Sequence, residues 1–255
     1  MSEADAIVGA ELAALAERLR TVKERIARAC EERARLPKAR LLAVSKGQPA
    51  SLIRAAYALG QRDFGENYVQ ELAQKAETLR DLPELRLHFI GHLQRNKVKH
   101  VVLHAAAVHS VDSLTLVDEL ERRMQGREVA PGKRAFGDDP RLPILVEVSI
   151  AGETQKSGCP PAELGALLAA AERASSLRPI GLMCVPPLTD EPSGSRPYFD
   201  ALARLRDEHG GRERLPELSM GMTADFEHAI AAGSTLVRVG TAIFGARKPR
   251  PPQAG

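Results

Sequence analysis

Eight short apolar runs, each about the length of a strand, alternate along this chain with segments of helical period. The runs are LLAVS (41–45), RDFG (62–65), RLHFIG (86–91), AVHSVD (107–112), PILVEVSI (143–150), PIGLMCV (179–185), ELSMGM (217–222) and TLVRVGTAIFG (235–245). Between them lie helix-like stretches such as ENYVQELAQKAETL and YFDALARLRDEH. Strand and helix in turn is the pattern of parallel βαβ units, and eight such units can close into a barrel. Periodicity alone leaves a doubly wound open sheet as the structural rival. With 255 residues, 44% of them hydrophobic, the chain can bury such a core in one domain. The expected fold is α/β, a single (β/α)8 TIM-type barrel.

An amphipathic segment precedes the first run. Leu12, Leu15, Leu19, Val22 and Ile26 recur at three- and four-residue steps within residues 4–35, and Leu36-Pro37 closes the pattern. We therefore expect an extra N-terminal helix (1–38) packed on the barrel (39–247), and a basic, Pro-rich disordered tail (248–255). GREVAPGKRAFGDDPR (126–141) is rich in Gly, Pro and charge and reads as a surface insertion before the fifth strand.

The function classes narrow on charge and cysteine. A net charge of +3 is weak grounds for nucleic-acid binding. The short basic run QRNKVKH (94–100) has no interleaved aromatics and reads as a solvated helix end. Three cysteines, with no CxxC pair, suit a reducing compartment. The N-terminus lacks the basic and apolar regions of a signal peptide, and no run approaches the roughly 18 apolar residues that span a bilayer. A cytoplasmic protein, with no membrane or nucleic-acid partner, is expected.

In a barrel of this kind, functional groups gather at the C-terminal ends of the strands. Lys46 stands at such an end, and strand alternation puts Leu42, Val44 and Lys46 on one face. It is either a lysine snorkelling from a strand end or a nucleophile, since a desolvated amine is partly neutral and attacks carbonyls. SMGMTADFEHAI (219–230) places small and polar residues at a strand-to-helix turn, with Thr223 as N-cap of a helix beginning at Ala224. Gly240 and Thr241 follow the eighth run, and loops after strands seven and eight often hold phosphate in such barrels. Arg238 shares a face with Leu236 and Gly240 inside a strand, where a charge needs a partner. That partner is either a carboxylate within the barrel or a heteroatom of a ligand. An amine, a phosphate cradle and an inward arginine together suggest pyridoxal 5'-phosphate.

These residues lie in segments that resemble the pyridoxal phosphate homeostasis (YggS/PROSC) family, whose barrel is that of the alanine racemase N-terminal domain, fold type III. The matching segments include LLAVSKGQP, DFGENYVQEL, LHFIGHLQRNK, VHSVD, GETQKSG, GLMCVPP, SMGMTADFEHAI and GSTLVRVGTAIFG, in family order from about residue 40 to 245. The resemblance implies that Lys46 forms the internal aldimine and that Asn67 lies beside the cofactor ring. It implies that Ser219, Met220, Gly221, Met222 and Thr223, with Gly240 and Thr241, bind the phosphate. Arg238 would face the pyridine nitrogen, where a permanent cation keeps that nitrogen unprotonated and restrains carbanion chemistry. Gly47-Gln48, Thr223 and GHLQ depart from the family's usual residues, and the 126–141 insertion is long; none removes the lysine or the cradle.

What the resemblance implies for function is storage, protection or delivery of the cofactor to apoenzymes met transiently, without catalytic turnover. Racemases of this fold carry a second domain that supplies another base and a dimer interface. This chain ends about ten residues after the eighth run, which favours a monomeric carrier over an enzyme. A low-activity fold type III enzyme, such as an amino-acid racemase, is the alternative, and a barrel binding another phosphorylated metabolite is a third. His100 and His104 stand at i,i+4, a spacing compatible with two metal ligands, but no third ligand is near and no metal is expected. Lys156 follows the fifth run and is a rival lysine, read as a mobile loop residue. Cys159 is near it, and Cys184 is read as core.

Overall fold

The structure, a computed structural model, describes residues 9–33, 37–152 and 157–246. Lys156 and the tail 248–255 lie outside the described residues. Eight parallel strands form a closed barrel in chain order: β1 (Arg40–Val44), β2 (Asp63–Glu66), β3 (Arg86–Phe89), β4 (Ala107–Val111), β5 (Leu142–Glu147), β6 (Leu177–Met183), β7 (Glu217–Ser219) and β8 (Leu236–Val239). Closure comes from β1 pairing with β8, with Leu42 opposite Arg238, so the open sheet is excluded.

Helices precede, connect and follow the strands: α1 (Gly9–Glu31), α2 (Ala50–Ala58), α3 (Val69–Thr78), α4 (Val98–Val101), α5 (Leu114–Met124), α6 (Leu164–Arg173), α7 (Arg196–Glu208), α8 (Gly211–Arg214), α9 (Phe226–Ala232) and α10 (Thr241–Phe244). The last two strands are shorter than their apolar runs. Gly221 at φ 91° ends the extended path after β7, and residues 241–244 coil into α10.

Alternation along the strands divides the apolar residues between two cores. Leu41, Ala43, Ile144, Val146, Leu218, Val237 and Val239 join the large layer beneath the helices. Leu145, Ile180, Met183 and Leu236 form a small separate plug on the axis. The inward positions between them carry polar side chains, among them His88, His109, Ser219 and Arg238, all buried.

The N-terminal helix packs as its periodicity requires, with Leu15, Leu19, Val22, Ile26 and Ala29 buried. Leu12 is exposed, because the first turn of α1 lies outside the contact that begins at Leu15. α1 runs across α9 and α10. Arg18 donates to Ile243 O at 2.6 Å, and Arg25 meets Glu227 while lying over the Phe226 ring. The helix thus braces the elements that follow β7 and β8.

The segment 126–141 is not a surface insertion. Phe136 packs on the axial plug and edge-on to His88, with ring centroids 5.8 Å apart. Arg40 donates to Ala135 O and Arg178 to Phe136 O, and a Cβ at Gly132 would stand 2.6 Å from Pro83 O. The segment closes the N-terminal mouth of the barrel. Its composition hid this, because Val129, Ala135, Phe136 and backbone carbonyls do the packing within a stretch of Gly, Pro and charge.

Candidate functional site

Lys46 sits in the turn immediately after β1, half-buried. The turn is closed by Gln48 N–H donating to Ser45 O at 3.0 Å, and Gly47 takes φ 71°, a conformation that favours glycine. Neighbouring side chains grip it from the helical layer. Ser45 Oγ donates to Glu66 Oε1 at 2.6 Å, Lys75 Nζ donates to Ser45 O and to Glu66 Oε1, both at 2.7 Å, and Gly47 N–H donates to Glu71 Oε2 at 2.7 Å. Lys75 on α3 is itself buried. Burial pushes the Glu66 carboxyl up despite Lys75 and Ser45, and its Oε2 has no hydrogen-bond partner. Ser45 points outward to this cluster, while Leu42, on the other face, lies outside the helical core.

The loops after β7 and β8 meet. Thr241 Oγ1 lies 3.2 Å from Thr223 Oγ1, which joins two segments singled out in the sequence. A Cβ at Gly221 would stand 2.5 Å from Ala229 Cβ, and one at Gly240 would stand 3.0 Å from Val44 O. Gly240 therefore lets β8's end lie against the end of β1, two residues before Lys46. Met222 N–H donates to Asp225 Oδ1 at 2.7 Å. The expected N-cap is corrected: α9 begins at Phe226 with Asp225 at its N-cap, because Asp225 takes the turn's N–H and Thr223 is drawn to Thr241 instead. Met220 offers no polar group to the cradle, since its side chain lies in the helical core and its N–H donates to Leu236 O.

Arg238 is buried within the barrel and its Nη1 donates to Ser219 O at 2.6 Å and Ser219 Oγ at 2.8 Å; its Nη2 donates to Cys184 O at 2.8 Å. Among the described residues it makes no carboxylate ion pair. Burial penalises its charge, and the nearby Glu147 and Asp225 carboxyls partly offset this. The Ser219 hydroxyl is thereby committed to Arg238 and to His109, 3.1 Å away, on the barrel axis.

Asn67 follows β2, and its Oδ1 is buried without a partner. A Cβ at Gly91 would meet Asn67 O at 2.2 Å, and Ser110 Oγ donates to Gly91 O at 2.5 Å. Three successive strand ends are thus packed together to hold the Asn67 loop. The chemistry is a half-buried amine, an inward guanidinium and an unpaired buried amide oxygen at one end of one barrel.

Sequence reasoning passed over Glu147, at the end of β5. It is buried, and desolvation with the nearby Asp112 carboxylate pushes it up to about 7. It also passed over His88 and His109, although an inward polar residue within a parallel strand was the signal that singled out Arg238. Cys159 and Cys184 are buried with thiols pushed up to about 12 by desolvation, which keeps them in the unreactive protonated form. His104 lies beyond the end of α4, so it does not share a helical face with His100, and no cluster of three metal-ligating side chains occurs among the described residues.

The family model described as alanine racemase, N-terminal domain, matches residues 11–248. A protein named pyridoxal phosphate homeostasis protein from Aquifex aeolicus is 43% identical over 235 residues, spanning 91% of this chain and 98% of that one. The human protein of the same name is 40% identical over 251 residues, spanning 91% and 88%. Among solved structures, PipY of Synechococcus elongatus with PLP bound is 36% identical, with a TM-score of 0.72 over 91% of this chain and all of that one.

Proposed function

The chain belongs to the alanine racemase N-terminal domain family, and on that premise we propose that it binds pyridoxal 5'-phosphate and maintains the supply of that cofactor by storing, shielding or delivering it. The observation that carries this reading is the convergence, at the C-terminal mouth of one barrel, of the Lys46 turn, the joined Thr223 and Thr241 loops, and Arg238. The site also fits the group on its own terms. Asn67 Oδ1 is a buried acceptor awaiting a donor, and Gly221 and Gly240 form a cradle in which any larger residue would collide with the backbone or with Ala229.

Pyridoxal phosphate brings an aldehyde that a primary amine can capture and a ring that withdraws electrons. The residues then divide the work. Lys46 supplies the amine, held in place by Glu66, Glu71 and Lys75 acting on its two neighbours. Gly221, Met222, Thr223, Gly240 and Thr241 would hold the phosphate, and Asn67 would serve the ring. Arg238 would offer the ring nitrogen a donor that carries no acceptor lone pair. A group that cannot be deprotonated near neutral pH would leave that nitrogen without a proton and weaken the ring as an electron sink. This restraint suits a carrier better than an enzyme.

The test is to load the protein with pyridoxal phosphate, reduce with borohydride and map the adduct by peptide mass spectrometry. An adduct on Lys46 is expected. Adducts confined to other lysines, or none, would leave the reading without its amine.

A second reading, weak fold type III enzyme activity such as amino-acid racemisation, is favoured by one observation. Glu147 is a buried carboxyl poised at about 7 on the same end of the barrel, the range suited to moving protons. Turnover of L- or D-alanine that is lost in Lys46→Ala would establish it. The carrier reading also includes transient contact with apoenzymes, a single-copy state and a cytoplasmic setting. The free state of Cys30, Cys159 and Cys184 is consistent with a reducing compartment, and no helix among the described residues is long and apolar enough to cross a membrane.

A further inference from the structure

A line of buried polar side chains runs through the barrel interior behind the proposed site. Arg86 grips the Asp63 carboxylate with Nε and Nη2 at 2.7 and 2.8 Å. Asp63 Oδ1 meets His88 Nε2 at 3.0 Å, and His88 Nδ1 meets His109 Nε2 at 3.0 Å. His109 Nδ1 meets Ser219 Oγ at 3.1 Å, and that oxygen accepts from Arg238 Nη1 at 2.8 Å. His88, His109 and Ser219 are each 1% exposed or less.

Any one of the histidine contacts can run in either direction; the ends of the line fix its sense. A guanidinium only donates, so Ser219 Oγ accepts from Arg238. Hydrogen bonds from Arg86 and His88 hold Asp63 well below the usual carboxylate range against the opposing effect of burial, so it only accepts, and His88 donates from Nε2. With its one proton on Nε2, His88 has a lone pair on Nδ1, and His109 then donates from Nε2. His109 is left accepting the Ser219 hydroxyl proton on Nδ1, and its burial holds it well below its ordinary range, against taking a second proton. The Ser219 proton is turned away from Arg238, and its oxygen is turned toward it.

We infer that His109, with His88 and Asp63 behind it, is a positioning residue for Arg238: the line orients the Ser219 oxygen and so fixes the guanidinium at the C-terminal mouth. Without that line the Ser219 O–H is free to face Arg238, donor against donor, and the remaining anchors are two backbone carbonyls. The inference uses the cofactor reading only for what Arg238 meets. The line itself belongs to the protein alone.

The first experiment needs no cofactor. Nitrogen-15 spectra of the histidine side chains, taken at about pH 8 where an ordinary imidazole is neutral, should find both His88 and His109 protonated on Nε2 only. A proton on Nδ1 of either ring, or on both nitrogens of His88, overturns the inference. The second experiment compares two variants. The amide of His109→Gln offers one donor and one acceptor and can rebuild both contacts, whereas His109→Leu can rebuild neither. The leucine variant should bind pyridoxal phosphate roughly ten-fold more weakly and shift the absorbance of the bound cofactor, as loss of one hydrogen bond to a charged group implies; the glutamine variant should stay within about three-fold. Equal binding by both variants means that His109 only fills space. If the leucine variant does not fold, the tautomers of the unaltered protein decide. Should the unaltered protein take up no pyridoxal phosphate, the proposed function fails while the tautomer pattern still judges the line.

Discussion

At the N-terminal mouth of the barrel, Arg40 faces Glu217 at 2.8 Å, Arg86 faces Asp63 at 2.7 Å and Arg178 faces Asp139 at 3.8 Å, with Phe136 packed beneath them. At the C-terminal mouth, among the described residues, Arg238 is hydrogen-bonded only to uncharged oxygens, Asn67 Oδ1 has no hydrogen-bond partner, and Glu147 is raised to about 7. The first arrangement is what a structure needs to keep charges inside a fold. The second keeps polar groups in states that cost stability unless something else uses them. On the proposed function, the difference marks which end of a symmetric architecture does the work, and it can be probed residue by residue.

The largest effect is expected where the C-terminal end does pair its charges, in the layer that supports the Lys46 turn. Lys75→Met leaves Glu66 buried with neither a counterion nor a partner for Oε2, a change that typically costs ~3–5 kcal/mol. Because burial already raises Glu66, uptake of a proton should soften the loss at low pH. Denaturant unfolding at acid and mildly alkaline pH measures both. Adding Glu66→Gln should recover much of the stability but not the capture of cofactor at Lys46. A loss below about 1 kcal/mol would mean that the pair merely occupies its site.

Glu147→Gln should act in the opposite direction. A carboxyl raised from 4.5 to about 7 in the folded chain binds a proton more tightly there than when unfolded. Its protonated form contributes stability that is full below the unfolded value and is lost as pH rises through about 7. The amide does not ionise, so the variant should be more stable than the parent above neutrality, by about 3 kcal/mol at most, and indistinguishable near pH 4. Melting curves across that window test it. Parallel pH profiles for parent and variant would show Glu147 to be solvated, and the contrast between the two mouths would weaken.

At the other mouth, Phe136→Ala removes the contact with the axial plug and His88. The side chain is only partly buried, so the cost should fall near 2 kcal/mol, below the usual range for a fully buried phenylalanine. Cofactor affinity should change less than two-fold, because the contacts of His88 with Asp63 and His109 do not run through Phe136. A large fall in affinity with little loss of stability would join the two ends functionally.

How much of this was legible beforehand depends on what each residue's neighbours are in sequence. The barrel was legible because βαβ units write their pattern locally, run by run. Lys46, Arg238, Gly221, Gly240 and the threonines could be singled out as candidates because each sits at a strand end or breaks an apolar strand. The closure of the N-terminal mouth by 126–141 was not, because Phe136 packs against β5, β6 and β8 from a segment with no period of its own. Glu147 and the Asp63–His88–His109 line were hidden for a related reason. A polar residue facing inward on one strand means little until the strands beside it are known, and those neighbours are set by closure. Ser219 shows the limit most plainly. Its segment suggested a phosphate ligand, while its hydroxyl is held on the barrel axis by Arg238 and His109.

The smallest expected change in stability is the most informative about function. Asn67 Oδ1 is already buried without a partner, so its desolvation has been incurred in the folded chain with no hydrogen bond in return. Asn67→Ala removes that unpaired acceptor together with a half-buried side chain, and the two effects oppose each other. Unfolding free energy should therefore move by no more than about 0.5 kcal/mol. If the oxygen is kept for a donor on bound cofactor, affinity should fall roughly five- to ten-fold in the same variant. Titration calorimetry beside a denaturant melt separates the two. A variant that loses stability but keeps its affinity would place Asn67 with the structural residues of the N-terminal mouth. The reverse result would mean that an unpaired atom at this end of the barrel is reserved for the ligand.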